Sequence, residues 1–343
     1  MKESKIKKKN TFLKKIFLKL SRRLGYEVID QGDLSLNGSE EKNSNSSLSQ
    51  LGINSLTLPM GTVKITRPVK SLDIILRTCA SVKMLTQSKE RVFEKEKSEY
   101  TLRCLKSIVN SIKYSEKELK KIKIKLTIID FNSNQKIIDK FKTILNNNFF
   151  NYEIKKLEYE KYSAQISSTN EENKPVTVNQ KSNMSNIHQS IELSKNCEDL
   201  VYFVEDDYIH SRKSILELVS AYEKFTSQLN CEVFLCPTDY PYLYRDVENT
   251  NIIIGNQSHW RRINQTLCTF LTSRMMIDKY HENITQMCKF EHYPFEKPLH
   301  NIYKKEFCFS PIPSIAIHCT NINSIYGLSP NVDLKKLWDE AAF

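Results

Sequence analysis

From Leu72 onward the chain alternates short, nearly continuous apolar runs with longer segments whose apolar residues recur every three or four positions. The runs Leu72–Thr78, Ile124–Asp130, Tyr152–Leu157, Leu200–Val204 and Glu232–Cys236 predict strands. Between them, Leu102, Leu105, Ile108, Val109 and Ile112 mark one face of a helix, and Ile137, Ile138, Phe141, Ile144 and Leu145 mark a second. A polar stretch from Ser163 to Asn183 precedes a helix carrying Ile187, Ile191 and Leu193, and a long helix carries Ile215, Leu218, Val219, Tyr222 and Phe225. Apolar strands separated by helices of several turns predict an α/β fold with a mostly parallel sheet covered on both faces.

Ligands of such sheets sit beyond the carboxyl ends of the strands. Polar residues gather at those ends: Arg77 and Thr78 after the first strand, Asp130, Asn132 and Ser133 after the second, Glu205, Asp206 and Asp207 after the fourth. Further on, Thr266–Ser273 predicts a strand leading into a helix, and Ser314–Ile317 a strand ending at His318.

The N-terminus follows another pattern. Phe12, Leu13, Ile16, Phe17, Leu20 and Leu24 recur at helical spacing, while Lys14, Lys15, Lys19, Arg22 and Arg23 fill other positions. The following segment is rich in Ser, Asn, Gly and Glu and cannot bury enough apolar surface to order itself. The predicted organisation is a basic amphipathic arm (1–29), a flexible linker (30–68) and one α/β domain (69–343).

Charge sharpens this division. The formal net charge of the 343 residues is +11, and Met1–Gly25 contributes ten basic residues against one acid, leaving about +2 for everything after it. The basic character belongs to the arm, so a nucleic-acid-binding face on the main body is not expected. The arm's pattern fits a helix lying on an anionic membrane surface; a helix docked on its own domain is the alternative, with nucleic acid a distant third. Nine scattered cysteines without paired CxxC spacing predict reduced thiols and a cytoplasmic chain. No apolar run approaches the roughly 18–20 residues needed to cross a bilayer, so any membrane contact is expected to be peripheral, on the inner face of the cytoplasmic membrane.

Three adjacent carboxylates repel one another unless a cation lies between them. On an extended backbone alternate side chains share a face, so Glu205 and Asp207 converge while Asp206 points elsewhere. Mg²⁺ or Mn²⁺ takes oxygen ligands and is ordinarily held by one or two carboxylates plus substrate phosphates. The alternative is an acidic turn at the N-terminus of the next helix, which its dipole favours.

"YFVEDDY" after an apolar strand resembles the metal-binding acidic motif of nucleotide-sugar glycosyltransferases with the GT-A fold, and "LTIIDFNSN" resembles their second-strand end. "SNIHQSIELSKNCEDLVYFVEDD", in which a helix bearing Asn186 leads into the acidic strand, follows the family-2 layout. The resemblance implies that Asp130, with Asn132 and Ser133 beside it, binds the nucleotide base. It places Arg77, Thr78 and Asn186 at the nucleotide sugar. Asp207, with Glu205 or Asp206, would hold the metal, and His318 would complete its shell. Phe131 departs from the family, which often has a second Asp there. No Q-x-x-R-W motif is present, and "SHWRR" is not one, so single rather than processive transfer is expected.

Transfer with inversion needs a carboxylate to take the acceptor hydroxyl's proton. By similarity of position Glu296 in "HYPFEKPLHNIY" is the candidate, with a non-catalytic helix-start Glu as the alternative, and Asp239 is the second candidate base or a sugar ligand. Arg261 and Arg262 offer bidentate contacts to phosphate. The expected partners are a UDP- or GDP-sugar and a glycan or lipid-linked saccharide. A nucleotidyltransferase is the rival enzyme class, though "LRTCASVKM" lacks the Gly-rich phosphate loop it would carry. A catalytically silent membrane-surface adaptor on the same fold is the rival outside enzymes.

Overall fold

The computed structural model describes residues 12–26, 28, 55–58, 61–81, 91–247, 249–321 and 323–343. Helix α1 (Phe12–Arg23) comes first, then an antiparallel hairpin of β1 (Ser55–Leu58) and β2 (Gly61–Lys64). The α/β body begins with β3 (Ser71–Thr78), α2 (Lys97–Tyr114), α3 (Glu116–Leu119), β4 (Lys123–Asp130), α4 (Gln135–Leu145) and β5 (Asn151–Lys156). It continues through α5 (Tyr159–Ser163), α6 (Val178–Ser194), β6 (Leu200–Glu205), β7 (Tyr208–His210), α7 (Ser214–Leu229) and β8 (Phe234–Leu235). The later half holds β9 (Ile252–Ile254), β10 (His259–Ile263), β11 (Phe270–Ser273), α8 (Arg274–Lys279), α9 (His281–Lys289), α10 (Lys297–Tyr303), β12 (Cys308–Ile312), β13 (Ala316–His318) and α11 (Leu334–Glu340).

Nine strands form the central sheet in the order β5, β4, β3, β6, β11, β8, β12, β10, β9. β5, β4, β3 and β6 are parallel, as are β8 and β12, and within this sheet β10 and β11 run the other way. The chain is a mixed α/β fold with a large, mostly parallel sheet flanked by helices, as the apolar runs predict. β7 and β13 form a separate antiparallel pair just past the end of β6.

Strand alternation divides the core in two. Leu72, Ile74 and Leu76 of β3 and Leu200, Tyr202 and Val204 of β6 pack with α2, α4 and α7. Ile75 of β3 and Val201 and Phe203 of β6 pack on the opposite face with α6, α9 and α10. The same parity fixes the direction of the polar residues ending these strands, and so builds the site.

The predicted linker is too long at its C-terminal end. Its residues 30–54 lie outside the described residues, but β1 and β2 pair, and Val63 is buried. Arg67 bonds Asp199 at 2.9 and 2.5 Å and Glu232 at 3.0 Å, tying the entry of β3 to the segments before β6 and β8. α6 begins at Val178, inside the predicted polar stretch, because Thr177 and Gln180 form a capping box that starts a helix without an apolar signal. β11 begins at Phe270, later than the predicted start at Thr266. The nine cysteines are free thiols, and no described helix is long and apolar enough to cross a membrane.

Candidate active site at the ends of β3 and β6

A cleft of about 380 Å³ opens at the carboxyl ends of β3 and β6, lined among others by Arg77, Lys97, Asn183, Glu205, Asp206, Asp207, Glu296 and His318. Each member of the acidic triplet meets a cation of the protein's own. Glu205 continues the parity of Val201 and Phe203 toward α6, where it pairs with the buried Arg77 at 3.1 Å. Arg77 shares that parity through Ile75 and also donates to Asn183 Oδ1 at 3.0 Å. Thr269 donates to Glu205 Oε2 at 3.3 Å.

Asp206 has the opposite parity and turns to the start of α2. There it pairs with Lys97 at 3.0 Å and accepts from Thr101 Oγ1 at 2.8 Å and the Cys79 amide at 3.1 Å. Asp207 stands 3.4 Å from Nε2 of His318, the last residue of β13, and the Cys319 amide donates to its backbone carbonyl at 2.8 Å. β7–β13 pairing sets this contact: its register matches Tyr208 with His318, and the two rings stack with centroids 4.8 Å apart.

Electrostatics follow from these pairs. Burial alone would push the Asp207 carboxyl up, but the His318 imidazolium, with Lys97 and Arg91, holds it at about 2. Burial opposes His318's charge, yet Asp207, with Glu205 and the Tyr326 carbonyl, raises it to about 9. His318 Nδ1 contacts that carbonyl at 2.8 Å. Glu296 lies half-buried at the start of α10, where burial, then the Glu205 charge, pushes its carboxyl to about 7. Arg77, Lys97 and His318 line the cleft against Glu205, Asp206, Asp207, Glu291 and Glu296, so the lining has no surplus positive charge for an incoming diphosphate.

The second-strand residues take a supporting position. Asp130 Oδ1 accepts from Thr78 Oγ1 at 2.7 Å and Ser133 Oγ at 2.6 Å, while Oδ2 accepts from the Ser133 amide at 3.0 Å. Asn132 turns the chain there in the left-handed region, φ 57°. Thr78 and Phe131 line the cleft; Asp130, Asn132 and Ser133 lie outside its lining. Asn186 lines it too, donating to the Ile129 carbonyl at 3.0 Å while its Oδ1 is buried without a partner.

Asp239 and Arg261 are not brought to the cleft. They pair with each other at 2.6 Å, Arg261 lies over the Tyr244 ring, and Tyr244 donates to Asp239. Burial raises the Asp239 carboxyl. Both groups are taken up by internal packing, as are Trp260, whose indole donates to the buried Glu217 at 2.9 Å, and Tyr240, bonded to Tyr208 at 2.7 Å. Among cleft residues that sequence patterns did not single out, Lys97 sits in an ordinary charged run, and Asn183 is placed by the early start of α6.

Among the described residues no group of three or more His, Cys, Asp or Glu side chains is arranged to hold a metal. Asp207 nevertheless offers an oxygen donor to the cleft, and His318, whose Nδ1 faces the Tyr326 carbonyl, offers Nε2 as a nitrogen donor only once its imidazolium has given up the Nε2 proton. Two protein donors suit a hard divalent ion that takes its remaining ligands from substrate phosphates and water.

No protein-family model and no curated protein sequence matches this chain. Among solved structures it is similar to S. aureus TarS at 14% identity and a TM-score of 0.33, over 61% of this chain and 29% of that one. It is also similar to the galactosyltransferase LgtC, solved with donor and acceptor sugar analogues, at 9% identity and a TM-score of 0.35, over 78% of this chain and 95% of that one. The S. cerevisiae mannosyltransferase Ktr4p, solved with GDP, aligns at 12% identity and a TM-score of 0.24, over 90% of this chain and 65% of that one. This chain spans less than a third of TarS. Likeness at this level assigns no activity by itself.

Proposed function

We propose that the protein is a glycosyltransferase of GT-A type that moves one sugar from a UDP- or GDP-sugar to a hydroxyl of a glycan or lipid-linked saccharide. The observation that carries this reading is one cleft holding both an ion-paired acidic triplet at the parallel strand ends and a carboxyl, Glu296, raised to about 7. A carboxyl tuned near neutrality suits a general base.

Glu296 takes the acceptor hydroxyl's proton as that oxygen bonds to the anomeric carbon, and the bond from that carbon to the diphosphate breaks. Arg77, held by Glu205 and Asn183, fixes the wall against which the donor lies. Lys97 and Asp206 fix the turn after β3. Asp207 and His318 would hold Mn²⁺ or Mg²⁺, whose charge would stabilise the departing nucleoside diphosphate. The balance of charge in the lining supports a cation that arrives with the donor. Asp130, tied by Thr78 and Ser133, supports the β4 turn, which leaves Phe131 as the cleft-lining group at that strand end.

The test is thermal stabilisation and Mn²⁺-dependent turnover across UDP- and GDP-sugars, with Asp207→Ala as control. Binding of one donor by the wild type and its loss in Asp207→Ala is the expected result. No donor binding, or equal binding by the variant, overturns the reading, and release of pyrophosphate instead of a nucleoside diphosphate would identify a nucleotidyltransferase.

A further inference from the structure

The sequence leaves the arm two main partners, its own domain or a membrane. In the structure α1 forms, and its apolar side is not packed away: Phe12 is 78% exposed, Leu13 76%, Phe17 57%, Leu20 57% and Leu24 67%. None of these residues belongs to the core clusters of the body. At 100° per residue, Phe12, Leu13, Ile16, Phe17, Leu20 and Leu24 cover an arc of about 140°; Lys14, Lys19 and Arg22 fall outside it, and Arg23 lies just inside one margin. No acid lies between Phe12 and Tyr26, and the ten basic residues against one acid of Met1–Gly25 sit on this same short segment.

We propose that α1 is a peripheral membrane anchor that lies in the interface of a bilayer carrying anionic lipid. Its apolar arc enters the boundary between headgroups and acyl chains, and its basic arc meets the lipid phosphates. Charge complementarity selects this occupant: a second copy would bring the same ten basic residues together, and an apolar protein groove would leave them unanswered. A helix of 12 residues is about 18 Å long, too short to span the hydrocarbon core, and so lies along the surface. Anchoring of this kind is independent of the reaction in the cleft.

The experiment is co-sedimentation of the full chain with vesicles of phosphatidylcholine alone or with about one third phosphatidylglycerol, at low and high salt. The wild type should sediment with the anionic vesicles, much less with the neutral ones, and less as salt rises. Each basic residue at the surface is worth about fivefold in affinity, so Arg22→Glu with Arg23→Glu should weaken binding at least tenfold. Phe17→Glu with Leu20→Glu should abolish it. Both variants should keep the wild-type melting temperature, because α1 lies outside the core clusters. No wild-type binding to anionic vesicles, or binding unchanged in both variants, would overturn the proposal. So would a wild-type dimer in solution that Phe17→Glu with Leu20→Glu dissociates.

Discussion

Glu296→Gln removes a base while keeping the side chain's volume and one acceptor oxygen, so it separates chemistry from architecture. Glu296 is half-buried on the cleft wall, its carboxyl raised to about 7 by burial and then by Glu205. A general base positioned in this way contributes about 10²–10⁴-fold, or about 3–5 kcal/mol of barrier, and turnover should fall by that factor. Donor binding, read as thermal stabilisation by the preferred nucleotide sugar, should stay within about threefold, because Arg77, Asp207 and His318 are untouched. With a base near 7 the carboxylate fraction rises about tenfold between pH 6 and pH 8, and wild-type kcat/KM should rise with it and level off. The assay is the initial rate of nucleoside diphosphate release across that pH range. A variant that keeps wild-type turnover, or a wild-type profile flat from pH 6 to 8, would refute the assignment of the base.

Asp206→Asn strips a buried ion pair of its acid and leaves Lys97 facing the cleft, and should lower unfolding stability by about 2–4 kcal/mol in urea titration; a change under about 0.5 kcal/mol would remove the structural role of this carboxylate. A Cβ on Gly255 would lie 2.3 Å from Trp260 Nε1 and 2.5 Å from Glu217 Oε1, so Gly255→Ala should cost about 1–3 kcal/mol through overpacking and disturb the Trp260–Glu217 bond, visible in tryptophan fluorescence. Burial raises the Glu223 carboxyl to about 7 although the Val69 amide donates to it at 2.8 Å. Folding therefore tightens that proton, and its stabilisation is complete below about pH 4.5 and lost as pH rises to about 7. Melting temperatures should show the wild type losing stability relative to Glu223→Gln over that interval by about 1–3 kcal/mol, and parallel pH curves would contradict this.

Much of the body is legible in the chain because burial on both faces writes itself as uninterrupted apolar runs. Leu72–Thr78 and Ile124–Asp130 fall within one residue of β3 and β4, and Leu200–Val204 of β6. β9, β10 and β12 give a weaker signal: β9 is an apolar run of only three residues, β12 is broken by Ser310 and Pro311, and β10 mixes His259, Arg261 and Arg262 into its ladder. For the same reason Arg261 has the sequence appearance of a phosphate ligand while its partner in the fold is Asp239, a carboxylate from another segment.

Strand alternation, a property of the local backbone, already separates Asp206 from Glu205 and Asp207, and places the polar groups at one rim of the sheet. The cations that answer those carboxylates belong to tertiary structure. Arg77 reaches Glu205 across the β3–β6 ladder, Lys97 reaches Asp206 from the start of α2, and His318 reaches Asp207 because β13 pairs with β7. A local pattern fixes which way a side chain points, because that depends on its own backbone. What it meets there depends on chain segments brought together by burial of the core, and only the folded sheet decides that three repelling acids become three ion pairs around one cleft.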